Sequence, residues 1–115
     1  ANLRGIPVKT FTIPMHEVDR AIADDEEAGF VKISVAGDTD RILGATIVAS
    51  HAGEMINEIT LAMVTGVGLR TLARVIHAYP TQAEAIKMAA DAYEREWLRP
   101  TARSLMAAWL RWRRR

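Results

Sequence analysis

The chain has 115 residues, half of them apolar and a quarter charged, with no cysteine. That suits one globular domain with a sizeable core, and it excludes disulfides, thiolate nucleophiles and thiolate metal sites from this chain. No apolar run approaches the ~18 residues of a membrane span. The net charge of +1 is unevenly spread: residues 1–93 carry 12 acidic and 8 basic side chains, whereas residues 94–115 carry seven arginines against Glu94 and Glu96. The opening ANLRGIPVKTF has neither an initiator methionine nor a signal-peptide pattern. It reads as a chain cut from something longer, with the cytoplasm as the default compartment.

In chain order, VKTFTI (Val8 to Ile13) alternates and is rich in β-branched residues, which predicts a strand ended by Pro14. HEVDRAIADDEE predicts a short helix or turn with a solvated acidic end. GFVKISVAG predicts a second strand, DTDR a turn, and RILGATIVASH a third strand. So short a turn implies an antiparallel hairpin, and apolar residues on both sides of the third strand imply a central position in the sheet. From Ala52 the period changes. Met55, Ile56, Ile59, Ala62 and Met63 fall three and four apart, predicting an amphipathic helix of about four turns closed by Gly66 and Gly68. LRTLARVIHA predicts one helical turn and then an extended piece. Pro80 disfavours helix at Tyr79, and a second long helix is expected from Thr81, with Ala83, Ile86, Ala90, Tyr93 and Trp97 on one face. Pro100 is expected to interrupt it, leaving TARSLMAAWLRWRRR as a final helix. Strands precede helices, so the fold class is α+β, a small antiparallel sheet packed with helices.

Useful chemistry concentrates in HAYPTQAEA, residues 77–85. Thr81 and Glu84 have the spacing of a capping box, each side chain bonding the other's amide, and a carboxylate keeps acceptor capacity for a second role. His77 and Tyr79, two apart on an extended segment, are expected on one side, where a base and a phenol could handle protons. A packed, hydrogen-bonded histidine is the commoner outcome of such spacing. His16, Glu17 and Asp19, and the pair His51 and Glu54, have weak ligand spacing and read as capping and solvated residues, so no metal site is expected. Glycine-rich phosphate loops are absent from the sequence. The tail WLRWRRR reads in two ways. It is either a footprint for nucleic acid or anionic lipid, or a helix with Leu105, Trp109 and Trp112 docked on the body and arginines suiting the helix dipole. The docked reading is preferred.

Three of these stretches together resemble the C-terminal dimerisation domain of the flavin-dependent pyridine nucleotide–disulfide oxidoreductases, the family of dihydrolipoamide dehydrogenase, glutathione reductase and mercuric reductase. DRAIADDEEAGFVKI resembles the family's R-A followed by G-F-x-K and a strand. DRILGATIVASHAGEMINEITLAM resembles its I-L-G segment leading through A-x-E-x-I into the first long helix. IHAYPTQAEA resembles H-A-H-P-T-x-x-E. Together they span about residues 8–93.

The resemblance implies a homodimer whose H-P-T-like loop enters the partner subunit's active site. It implies FAD and NAD(P)H in the full-length enzyme, bound by domains of the same polypeptide that precede Ala1, with none bound by this chain alone. The expected division is 1–98 for the dimerisation domain, lacking its first strand, and 99–115 for a basic C-terminal helix. In the family motif the histidine before proline is the acid–base residue; here that position is Tyr79. Glu84 matches the glutamate that orients the catalytic histidine, and His77 matches the first, non-catalytic histidine. The expected catalytic residues are therefore Tyr79 and Glu84, with His77 as a third candidate, and Pro80 and Thr81 are expected on the flavin side of the partner. Mercuric reductase also carries a tyrosine at this place, so the loop looks mercuric reductase-like, although no C-terminal cysteine pair accompanies it. Neither nucleic acid nor membrane is expected as a partner. The alternatives are a stand-alone module binding nucleic acid or anionic membrane through its basic Trp/Arg tail, and a small enzyme using His77, Tyr79 and Glu84 alone.

Overall fold

A computed structural model describes residues 7–37 and 39–113, and their side chains except those of 98–103. Three strands form one antiparallel sheet in the order β1 (Val8–Pro14), β2 (Phe30–Ala36), β3 (Ile42–Val48). A single 3₁₀ turn, Met15–Glu17, and the short helix α1 (Asp19–Ala23) link β1 to β2. Helices α2 (Ala52–Thr65), α3 (Leu69–Arg74) and α4 (Glu84–Arg113) follow. The α+β class and the β2–β3 hairpin are as the sequence predicts.

Alternation decides which face of the sheet is dry, because successive side chains point to opposite faces. Phe11 pairs with Ile33, Ile13 with Val31, and Val35 with Ile42. These six are all buried. Thr12, Lys32 and Thr46 occupy exposed positions across the strands, and Thr10 bonds Ser34 through their hydroxyls at 3.1 Å. Helix α4 covers the dry face with Ile86, Ala89, Ala90 and Tyr93, and the Tyr93 ring meets Phe11 edge-on with centroids 5.7 Å apart. Met55, Ile59 and Ala62 of α2 join the same core, as their helical spacing requires.

Two expectations about elements are corrected. β3 is not central: β2 lies between its two neighbours, and among the described residues β3 pairs only with β2. Its apolar run misleads because it contains the small Gly44 and Ala45 and leaves Val48 about half exposed. Pro100 does not interrupt the last helix either. α4 runs unbroken through it for 30 residues, so no break marks the expected division at 98/99. A proline removes one hydrogen bond from the ladder, and the carbonyl it releases one turn earlier belongs to Glu96, an exposed residue open to water. The body-facing part of α4 reaches Glu96, which pairs with Lys9 at 3.3 Å, and Trp97, on whose ring the Arg70 guanidinium stacks at 4.2 Å. Beyond it, Leu105, Trp109 and Trp112 are exposed, which overturns the expectation that they dock on the body.

The VTGVGLR stretch shows two glycine roles. Gly66 ends α2 in a left-handed conformation (φ 74°), as a C-terminal glycine does. Gly68 instead makes room: a Cβ there would overlap the Asp40 carboxylate. That carboxylate accepts from the Arg70 amide at 3.1 Å, and the Asp40 carbonyl accepts from the Leu69 amide at 2.8 Å. The β2–β3 turn thus supplies the cap that the start of α3 needs. Gly68→Ala should destabilise the fold by ~1–3 kcal/mol in chemical denaturation, and by clearly less in an Asp40→Ala background, where the overlap is gone.

Candidate functional site

The α3–α4 connection carries the residues singled out by the sequence. Helix α3 stops at Arg74, Val75 is extended, and the chain then runs irregularly to Glu84, with a cis Tyr79–Pro80 peptide bond. His77 points inward. Its side chain is only 7% exposed, with Nε2 2.5 Å from Glu58 Oε1 on α2 and Nδ1 3.1 Å from the Val75 carbonyl. Both neighbours are acceptors, so a proton on Nε2 ties the loop to α2 and a proton on Nδ1 ties it to its own backbone.

Tyr79 does the opposite. It is 68% exposed, and its hydroxyl donates to Asp19 Oδ2 on α1 at 2.8 Å. The hydrogen bond to Asp19 and that carboxylate's charge raise the phenol's pKa above its ordinary value of 10.0, and the Glu84 charge adds to the rise. Tyr79 is therefore a phenol, a hydrogen-bond donor, throughout the neutral range. His77 and Tyr79 do not work as a pair from one side of an extended segment: the irregular backbone sends one to α2 and the other to α1.

The capping box is also absent. The Thr81 hydroxyl donates back to the Ala78 carbonyl at 2.7 Å, and the Glu84 amide uses the Thr81 backbone carbonyl at 3.3 Å. The turn at Pro80 offers that hydroxyl a closer acceptor than the helix offers a donor, a local competition typical of threonine. α4 accordingly starts at Glu84 rather than Thr81. Gln82, 4% exposed, fastens the far end of the loop by donating to Glu26 at 2.5 Å.

The structure thus brings Tyr79 and Glu84 into one electrostatic neighbourhood and gives His77 a different carboxylate, Glu58. Pro80 and Thr81 line an open cleft of about 490 Å³ together with Arg20, His51, Glu54 and His77. On the other side of His77 lies an apolar groove of about 650 Å³ walled by Leu61, Val75 and Ile76. Sequence reasoning missed Glu58 entirely and considered Asp19 only as a weak ligand. Both lie far along the chain from their partners, 19 and 60 residues away, and neither spacing carries a local signal.

Residues 1–90 match the family model described as the pyridine nucleotide–disulphide oxidoreductase dimerisation domain. The chain belongs to this family. A mitochondrial dihydrolipoyl dehydrogenase of Dictyostelium discoideum is 44% identical over 92 residues, covering 79% of this chain and 19% of the relative. Among solved structures, LpdA from Mycobacterium tuberculosis superposes with a TM-score of 0.74 at 27% identity, over 80% of this chain and 20% of that one. The Cu(II) complex of the HOCl-induced flavoprotein disulfide reductase RclA from Escherichia coli gives the same TM-score at 25% identity, over 79% and 21%. The chain therefore spans about a fifth of the length of the proteins it matches. The antiparallel sheet with helices is the shared fold, and the family is one of oxidoreductases whose dimerisation domain joins two subunits.

Two outcomes follow from the loop geometry. Because folding holds the Tyr79 proton more tightly than the unfolded chain does, its stabilising contribution is complete below pH ~10 and is lost as pH rises through the folded-state value. Ultraviolet titration should show Asp19→Asn lowering that midpoint toward 10 while Tyr93, also raised but chiefly by burial, stays in place. Glu58→Ala, which leaves the His77 ring without its carboxylate, should lower stability by ~1–3 kcal/mol and speed amide exchange across residues 75–81.

Proposed function

We propose that this domain pairs two subunits of an FAD- and NAD(P)H-dependent disulfide oxidoreductase and offers Tyr79 to the partner subunit's active site. The observation that carries the reading is the contrast within the loop: His77 and Gln82 are buried and fastened, whereas Tyr79 between them is exposed. A side chain presented outward from a loop fixed at both ends can meet a second molecule with little loss of conformational freedom. The apolar groove beside it supports the same arrangement. Leu61, Val75 and Ile76, which line it, are 65%, 41% and 95% exposed, an apolar patch suited to the core of a subunit interface.

At that interface Tyr79 acts as a donor. Its raised pKa makes it unsuited to be a base at neutral pH, so it differs in role from the histidine expected before proline in the family motif. Its one O–H leaves Asp19 to donate to a developing thiolate, or the ring shapes the site for a soft ion, as in the mercuric reductase-like branch. Glu84 keeps the neighbouring field negative and sustains the protonated phenol. Pro80 and Thr81 set the bend that aims the loop. This chain, with no glycine-rich phosphate loop, offers no dinucleotide cradle of its own; the flavin and nicotinamide belong to other parts of the polypeptide, and the isolated chain is inactive. The cytoplasmic placement expected from sequence remains part of this reading.

In the full enzyme, Tyr79→Phe should lower kcat/KM by about tenfold or more, the loss of one well-placed hydrogen bond in the transition state, with the dimer mass unchanged. Turnover equal to the parent enzyme would remove Tyr79 from the site.

A further inference from the structure

The far half of α4 has no counterpart in the fold just described. The family match ends at residue 90, yet the helix continues to Arg113. Every described side chain from 104 to 113 is exposed. At about 100° per residue, Leu105, Trp109 and Trp112 fall along one line, with Met106 at its edge and Leu110 on the far side. Arg111 lies on the opposite side. Arg113 folds its guanidinium over the Trp109 ring, 5.3 Å from the centroid. After Glu96 the sequence has six arginines and no acidic residue.

We propose that this segment lies on an anionic membrane surface, with Leu105, Trp109 and Trp112 in the boundary between headgroups and acyl chains and the arginines at the lipid phosphates. The proposal is independent of the oxidoreductase reading, and it replaces the sequence expectation that no membrane is a partner. Two needs have to be met at once, an apolar layer for the Leu/Met/Trp stripe and anions for the arginines. Duplex nucleic acid supplies phosphates but no apolar layer for Leu105 and Met106. The same helix of a second copy supplies apolar side chains but brings six more arginines, and like charges oppose the contact. An anionic bilayer surface supplies both, and this is the pattern of an interfacial amphipathic helix. Among the described residues no helix is long and apolar enough to cross a membrane, so the segment rests on the surface. The acidic body, 12 carboxylates against 8 basic groups in residues 1–93, is repelled by the same lipid charge and is held away from it.

The test is co-sedimentation of the 115-residue chain with phosphatidylcholine vesicles, with and without phosphatidylglycerol, alongside tryptophan emission and a duplex DNA binding control. The chain should bind the phosphatidylglycerol vesicles, with blue-shifted emission, and leave pure phosphatidylcholine and DNA largely unbound. Leu105→Gln/Trp109→Gln keeps good helix formers at exposed positions and should weaken vesicle binding about tenfold or more, with circular dichroism of the body unchanged. Arg111→Gln/Arg113→Gln should abolish the preference for anionic lipid. No binding to either vesicle, DNA binding as tight as vesicle binding, a shared loss of binding through self-association of the helix, or unchanged binding by both variants would each overturn the proposal.

Discussion

A buried imidazole holds the α3–α4 connection in shape. Between Arg74 and Glu84 the backbone has no helix or strand to set its course, and a segment that long is free to wander unless side chains tie it down. The His77 ring, between Glu58 and the Val75 carbonyl, is one tie; Gln82 on Glu26 is the other. With both ends fixed, the residues between them have one place to go, and that place is outward. Exposure of Tyr79 and Ile76 is thus a consequence of what is buried next to them. The Asp19 contact then selects the orientation of the phenol and keeps its proton on.

Those ties need firm anchor points, and the one-sided sheet provides them. Period-two alternation in β1 and β2 places Phe11, Ile13, Val31, Ile33 and Val35 on a single face. Burying that face requires helices with matching stripes, which α2 and the first half of α4 carry. Glu58 stands one residue before the buried Ile59 on α2, and Asp19 stands one residue after the buried Val18. Glu58 and Asp19 are therefore polar neighbours of core residues, and their positions are as well determined as the core itself. The same logic does not extend to residues 104–113, where α4 has an apolar stripe but every side chain is exposed.

Much of this was legible in the sequence. Alternation in VKTFTI and FVKISVA, the three–four spacing of Met55 to Ala62, and glycines at the end of α2 are local signals, and each element formed where its signal lay. The quoted motifs also carried the family. What failed was information that is not local. Whether an apolar run such as ILGATIV is central depends on which strand pairs on its far side. Whether Thr81 caps a helix depends on a nearer carbonyl at Ala78, and whether Pro100 breaks a helix depends on the solvation of the carbonyl it frees. The pairs His77–Glu58 and Tyr79–Asp19 join residues that only the fold makes neighbours. The docked tail was inferred from the hydrophobicity of Leu105, Trp109 and Trp112, but hydrophobicity states a preference for leaving water and does not name the surface that receives it.

An inward-tied loop beside an outward-facing apolar groove is the arrangement that the proposed second subunit would cover. The most direct measurement is the solution mass of the chain by light scattering over a concentration series, with and without ~0.5 M salt to screen exposed charges. An interface made of Leu61, Val75 and Ile76 predicts a dimer that salt does not dissolve, since apolar burial is not screened. A monomer at every concentration, or a dimer that falls apart in salt, would contradict it.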